Sequence, residues 1–243
     1  MDVHKVLNIN KGKRDIISIV GAGGKTTIMQ ALAEEFAEEG KKVLVSTTTK
    51  LFAHQLEFCH RTFYGSIPED YGPPRGSITG LGKEVLGDKA LGMTLGELED
   101  IYLRGIFHFI LIEADGANMK PMKAHGLGEP VVGDFTTKTL GIIGLDSVGK
   151  PITDENIHRA DVFSRLFGKS IGENLKEEII VKFVVDKNGL FKNSHGERFL
   201  FLNKANTKSQ IESGRKIIKL LKDLNFENAY ITDIKGGKIT LMK

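Results

Sequence analysis

Ile16-Ile17-Ser18-Ile19-Val20-Gly21-Ala22-Gly23-Gly24-Lys25-Thr26-Thr27 is the stretch from which the fold of this chain is read. Its first half is β-branched and almost free of polar residues, which predicts a strand buried in a parallel sheet. A glycine-rich turn stops the strand, and a lysine and two threonines follow. Then Ile28, Met29, Leu32, Phe36 and Ala37 recur at helical spacing, with Gly40 placed to end the helix. Strand, glycine turn, Lys-Thr and helix in that order form a cradle for a nucleotide's phosphates. Backbone N–H groups along Gly21, Ala22, Gly23, Gly24, Lys25, Thr26 and Thr27 are the candidate contacts. Lys25 adds a mobile positive charge, and Thr26 offers its hydroxyl to Mg2+. Glycine is expected here because a Cβ would hold the backbone off the phosphate oxygens.

The spacing is short. In the common G-x-x-x-x-G-K-T pattern a glycine stands five residues before the last one, and Ile19 occupies that place. Counted from Gly21 the loop is two residues shorter, a G-x-x-G-K-T-T form that resembles the phosphate loop of the Mur-type peptide ligases. The dinucleotide fingerprint G-x-G-x-x-G fails, because Thr26 stands where its third glycine belongs.

At 243 residues the chain is ample for a continuous core, and its 40% apolar and 27% charged residues are ordinary for a globular protein. It reads as one nucleotide-binding α/β domain over 1–243, with 118–195 as a mobile loop and helical insert. A net charge of +3, evenly spread, is too small to argue for a nucleic-acid surface. Cys59 is the one cysteine, which excludes an internal disulfide and fits a reducing compartment. Residues 1–14 are mixed and charged, unlike a signal peptide, and no apolar run approaches the ~20 residues that span a bilayer. The expectation is a cytoplasmic protein with neither a nucleic-acid nor a membrane partner.

Val43-Leu44-Val45 reads as a second strand ending in Ser46-Thr47-Thr48-Thr49-Lys50, and 51–64 is ambiguous between helix and strand. After a Pro- and Gly-rich loop, 77–80 is a short strand, and Thr94 with Glu97 has the capping-box spacing of a helix over 95–103. The second strong strand, 107–112, ends in Glu113-Ala114-Asp115-Gly116-Ala117. A strand at 140–143 follows, then a helix capped by Asp154 and closed by Gly168, and another from Asn174 with Glu177. Residues 198–202 form the last core strand, Thr207 with Gln210 caps a helix, and 228–242 make two edge strands joined around Gly236-Gly237. Strands alternating with helices imply an α/β fold with a mostly parallel sheet and helices on both faces. Ligands in such sheets sit outside the carboxyl ends of the strands. That rule gives the phosphate turn, 47–50, the Glu113/Asp115 pair and Asn203-Lys204 one address.

Glu113 and Asp115 follow an apolar strand as the acid of a Walker-B-like element does, and Mg2+ between two phosphates needs hard oxygen ligands. The two are expected to point to opposite sides. Asp115 is assigned to the metal shell with Thr26 and Thr48, and Glu113 to the attacking water; the reverse assignment stands beside it. With Lys25 these acids are the candidate catalytic residues. Threonines 47–49 can position the metal or simply end a strand. Lys50, Lys120 and Lys123 can meet phosphate or an anionic substrate, or be solvated. His158-Arg159, expected on a helix, can sense a ligand or serve structure. Cys59 reads as a small core residue. Asn203 and Lys204 are candidate nucleotide contacts, since Asn203-Lys204-x-Asn206 partly matches the Asn-Lys-x-Asp with which guanine-specific proteins hold the base. Asn206 offers one neutral oxygen where aspartate offers a full charge, so discrimination weakens and the choice of ATP or GTP stays open.

Together these residues resemble the YqeC-like selenium-dependent hydroxylase accessory proteins. The likeness rests on Val20–Thr27, Ser46–Lys50 and Glu113–Ala117, and continues through Lys120-Pro121-Met122-Lys123-Ala124, Glu129-Pro130, Gly144-Leu145-Asp146, Gly149-Lys150-Pro151, His158-Arg159 and Leu202-Asn203-Lys204. It implies a P-loop NTPase-like three-layer sandwich and a nucleotide-binding helper, using Mg2+ and ATP or GTP, in the maturation of molybdenum hydroxylases that carry selenium. The implied partner is such a hydroxylase or one of its maturation factors. The chain has no cysteine pair or histidine cluster suited to carrying selenium or molybdenum itself. Three activities fit the motifs: an NTPase coupled to a partner enzyme, an ATP-dependent small-molecule kinase or ligase with a Mur-like short loop, and a nucleotide-gated binding module without turnover.

Overall fold

In the computed structural model, which describes residues 3–9, 12–235 and 238–242, every residue of the first strand, β1 (Asp15–Gly21), is buried. A short α1 (Val3–Val6) precedes it. There follow α2 (Lys25–Glu38), β2 (Val43–Thr47), β3 (Leu51–Phe52), β4 (Arg61–Tyr64), β5 (Ile78–Gly82), β6 (Val85–Leu86), β7 (Lys89–Ala90), α3 (Leu95–Leu103) and β8 (Phe109–Glu113). The second half holds β9 (Met122–Lys123), β10 (Lys138–Gly144), β11 (Ile157–His158), α4 (Ala160–Phe167), α5 (Glu177–Val185), β12 (Glu197–Asn203), α6 (Lys208–Lys222), β13 (Ala229–Lys235) and β14 (Lys238–Met242).

Among the described residues nine strands share one sheet, in the order β14-β13-β12-β10-β1-β8-β2-β5-β4. Every neighbouring pair is parallel except β13 with β14. Side-chain alternation then places helices on both faces. Ile17 and Ile19 of β1, Val43 and Val45 of β2, and Phe199 and Phe201 of β12 pack with Ile28, Leu32 and Phe36 of α2. The opposite parity does the reverse: Ile16, Leu44 and Ile110 meet Leu98 and Ile101 of α3. Toward the other end, Val20, Leu200 and Leu202 meet Ile180 and Phe183 of α5 and Ile217 and Leu221 of α6. The architecture is the three-layer α/β sandwich expected of strands alternating with helices: a mostly parallel sheet covered by helices on both faces. Because β1 lies between β8 and β10, its carboxyl end opens at the point where the chain crosses from one half of the sheet to the other.

The elements that differ from expectation are the short ones. Asp154 does not open a helix directly; the chain first makes β11, which pairs with β9, and α4 starts only at Ala160. Asp154 still reaches that start, its Oδ1 accepting the Ala160 N–H at 3.2 Å. His158 therefore lies on a strand, and Arg159 caps α4 in a left-handed conformation with φ 61°. Lys176 rather than Asn174 precedes α5, and Asn174 bridges to Pro151 instead. Residues 51–64 resolve into β3, a 3-10 turn (Ala53–Leu56) and β4, and β3 joins β7 and β6 in a small antiparallel sheet. The expected turn at Gly236-Gly237 lies outside the described residues. None of the described helices is long and apolar enough to cross a membrane.

Phe36 is the main anchor of α2: it is fully buried and its ring stacks on Phe109 of β8, with centroids 4.0 Å apart. Removing such a side chain leaves a cavity that a sheet cannot collapse to fill. Phe36→Ala is expected to cost about 3–5 kcal/mol of unfolding free energy, read from urea titration.

Candidate functional site

The turn after β1 holds Gly21, Gly23 and Gly24 at φ 95°, 91° and 117°, conformations that glycine adopts freely. Its first amides are taken by the protein itself. The Gly21 N–H donates to Asp115 Oδ2 at 2.9 Å, Ala22 N–H to the Ile142 carbonyl at 2.9 Å, and Gly23 N–H to the Lys120 carbonyl at 3.1 Å. Gly21, Ala22 and Gly23, expected as phosphate contacts, thus brace the loop with their amides. Among the described residues no acceptor meets the N–H groups of Gly24, Lys25, Thr26 and Thr27, the orphan donors of the start of α2. The glycines also have a reason different from the expected one. A Cβ on Gly23 would stand 2.3 Å from the Gly144 nitrogen, and one on Gly24 2.6 Å from Asn203 Nδ2. They admit neighbouring protein rather than phosphate.

Lys25 is folded over this turn and is only 4% exposed. Its Nζ donates to the Gly21 carbonyl at 2.8 Å and lies 3.1 Å from Asp115 Oδ1 and 3.5 Å from Glu113 Oε1. Burial works to lower its pKa, but the attraction of Asp115 and Glu113 outweighs it and holds the ammonium above its ordinary value. Both carboxylates reach one ammonium, so the expectation that they diverge fails: residues two apart on extended chain share a face.

Their surroundings differ nonetheless. Glu113 borders a cavity of about 480 Å3, and its Oε2 accepts the Thr26 hydroxyl at 2.7 Å. Burial raises its pKa, with Lys25 and Thr26 offsetting part of the effect. Asp115 is 0% exposed and lies behind the loop, outside that cavity. Burial would raise its pKa too, but Lys25, Lys123, His125 and the Gly21 amide together pull it below the usual range. The metal shell assigned to Asp115 is therefore not where Asp115 is. Of the oxygens assigned to the metal, only Thr26 Oγ1 borders the cavity, where Glu113 rather than Asp115 stands beside it. Thr48 is displaced as well: its hydroxyl donates to the Val131 carbonyl at 3.0 Å.

Asn203 and Lys204 take different parts. Asn203 Nδ2 donates to the Gly23 carbonyl at 2.8 Å, and its Oδ1 accepts from Thr232 at 3.1 Å, so the amide braces the loop from β12. Lys204 borders the cavity and pairs with Asp146 at 2.8 Å. Asn206 is exposed, its backbone N–H donating to Gln210 Oε1 at 3.0 Å. Lys50, Lys120 and His158 border the cavity, while Lys123 is buried behind it.

Lys123 belongs to a charged chain that residue types alone do not reveal. Its Nζ donates to the Gly116 carbonyl at 2.6 Å and lies 3.3 Å from Asp115 Oδ2 and 3.0 Å from Glu129 Oε2. Arg159 grips both oxygens of Glu129. His125 stands 3.3 Å from Asp115 through Nδ1 and donates from Nε2 to the Leu190 carbonyl at 3.0 Å, and burial keeps its pKa low despite Asp115. His125, Glu129 and Gln55 stand in no motif that marks a site by residue type and spacing. Gln55, whose Nε2 lies 3.4 Å from Thr26 Oγ1, sits in the segment without a readable period.

A family model described as YqeC protein matches residues 17–161. A relative in Escherichia coli (strain K12), described as an uncharacterized protein YqeC, is 27% identical over 237 residues, which is 95% of this chain and 92% of the relative. Two solved structures align over 98% of the chain, each with a TM-score of 0.47: chloroplast FtsY from Physcomitrella patens at 15% identity and FtsY from Mycoplasma mycoides at 13%. The chain spans 65% of the length of the first of these and 67% of the second.

Two outcomes separate these residues. Asp115→Asn takes one of its two carboxylate partners from each of two buried ammonium groups and is expected to cost about 3–5 kcal/mol in urea unfolding, while Glu113→Gln, which keeps an acceptor for Thr26, stays near wild type. Glu129 has its pKa lowered from 4.5 to about 2, because Arg159 and Lys123 outweigh its burial. Its stabilisation is complete above pH 4.5 and is lost as pH falls toward about 2. Glu129→Gln should therefore flatten the acid limb of stability against pH in that window.

Proposed function

The chain belongs to the YqeC family, and on that premise we propose that it binds a nucleoside triphosphate with Mg2+ and hydrolyses it in the cytoplasm, serving the maturation of a selenium-dependent molybdenum hydroxylase. At the coarser level it is a nucleotide-binding, P-loop NTPase-like protein. The observation that carries the reading is the row of unclaimed amides from Gly24 to Thr27 beside Lys25, with Thr26 bonded to a buried carboxylate at the cavity wall. Four convergent N–H groups at a helix start attract an oxyanion and little else. Support for the maturation role, and for a hydroxylase or its maturation factor as partner, comes from the family resemblance.

The chain's own residues divide the work. The Gly24–Thr27 amides hold the phosphates, and Lys25 leaves Gly21 and Asp115 to meet their oxygens. Thr26 and Glu113 would hold Mg2+, directly and through its water, and the ion would neutralise charge between the outer phosphates. Glu113, at the cavity wall, orients the attacking water and accepts its proton. Asp115 acts as a positioning residue, fixing the Gly21 amide and keeping Lys25 charged. Lys204 is the contact on the nucleoside side, and with a neutral Asn206 in the place of an aspartate the base is ATP's or GTP's.

Calorimetric titration of ATP and GTP with Mg2+ tests this directly. Lys25→Ala should weaken binding by about a hundredfold, since it loses a buried charge-assisted contact. Glu113→Gln should bind within a few-fold of wild type and release no phosphate. Wild-type-like binding by Lys25→Ala would contradict the assignment.

A further inference from the structure

The cavity has two ends. Lys204 marks one, bordering the space next to the Asn203 side chain that reaches the Gly23 carbonyl from β12. Gln55 marks the other, because its Nε2 lies 3.4 Å from Thr26 Oγ1, the hydroxyl that pairs with Glu113. On the nucleotide reading, Thr26 stands beside the outermost phosphates, so whatever lies past Gln55 lies beyond the terminal phosphate. That lobe is walled by Lys50, Leu51, Phe52 and Gln55 and, from the facing strand β7, Lys89.

Its charge is unbalanced. Five lysines border the cavity against one carboxylate, Glu113. Lys25 is matched by Glu113 and Asp115, and Lys204 by Asp146. Among the described residues neither Lys50 nor Lys89 has a carboxylate partner; the Lys89 ammonium instead lies 5.5 Å over the Phe52 ring. The backbone that presents them is fixed: β3 pairs with β7 as Leu51 with Ala90 and Phe52 with Lys89, and Gln55 Oε1 accepts the Phe52 N–H at 2.9 Å. Lys89 on β7 and Lys50 just before β3, two cations without a carboxylate partner on the cavity that Glu113 also borders, make a seat for a second anion.

The geometry points to a second-ligand subsite at Lys50, Phe52, Gln55 and Lys89 that takes a small molecule bearing a carboxylate or phosphate group. It rests on the nucleotide reading, because the phosphate position orients the cavity. The molecule would meet the outer face of the bound nucleotide, and nucleotide binding would complete one wall of its site.

The test uses full-length protein saturated with Mg2+ and a non-hydrolysable ATP or GTP analogue carrying a fluorescent ribose label. Inorganic phosphate and, separately, citrate are titrated in by calorimetry while the label reports whether the analogue stays bound. At least one probe is expected to bind saturably without displacing the analogue. The Lys50→Ala/Lys89→Ala variant should weaken that probe by about tenfold or more, with analogue affinity within about threefold of wild type. Lys50→Arg/Lys89→Arg should retain the probe, since both side chains are exposed and only their charge is used. The subsite is overturned if neither probe binds loaded protein, if the alanine variant binds it as wild type does, or if the probe expels the analogue. Wild-type protein that binds no analogue overturns the nucleotide reading beneath it as well.

Discussion

An ammonium group buried beneath a turn has to be held by opposite charge, and that constraint arranges much of this molecule. Lys25 cannot remain charged at 4% exposure without partners, because burying a lone ion costs several kcal/mol. Asp115 and Glu113 meet the need from the end of β8, the strand beside β1. Asp115 in turn is buried completely and requires more than Lys25, so Lys123 and His125 close around its other side. Lys123 then needs Glu129, and Glu129 is gripped by Arg159 at the start of α4. Alternating charges thus run from the phosphate turn through the long segment after β8 to a helix on the far face. The arrangement has a consequence for ligand exchange. In the proposed complex, where a phosphate would draw Lys25 away, Asp115 would keep Lys123 and the Gly21 amide, so the carboxylate would not be left buried without a counter-charge.

The long periodic segments were legible in the sequence. α2 repeats its apolar residues at helical spacing, and Gly40 ends it with φ 77°. Thr94 with Glu97 and Thr207 with Gln210 form capping boxes in space as their spacing promised. β1, β8, β10 and β12 fall where apolar runs placed them, within two residues or so at their ends. Two-residue strands were not legible, because β3, β6, β7, β9 and β11 are too short to carry a period and exist only through their partners. That is why the wall holding Gln55 and Lys89 was invisible, and why His158 was placed on a helix.

Site roles were legible as residue types and not as positions. The sequence put Glu113 and Asp115 at the right strand end but gave no means of telling which one faces the cavity. That depends on where the chain turns after Ala114, whose amide still bonds to Ile19 of β1 while Asp115 folds back under the glycines. Thr48 was likewise assigned by type, yet the Val131 carbonyl, far along the chain, claims its hydroxyl.

The shortness of the phosphate turn follows from the same packing. Its leading amides bond to Asp115, Ile142 and Lys120, and its second glycine lies against the Gly144 backbone, so β8, β10 and the segment after β8 all close on it. Only the amides from Gly24 onward are then left for the proposed phosphate. Side chains must then supply more of the recognition, which matches a cavity so rich in lysine. A turn that spends half its amides on its own scaffold is rigid before any ligand arrives, and rigidity at that point lowers the ordering cost of binding. The short loop and the crowded charges around it are therefore one solution: a preformed cradle whose missing donors are made up by lysines set on neighbouring strands and turns.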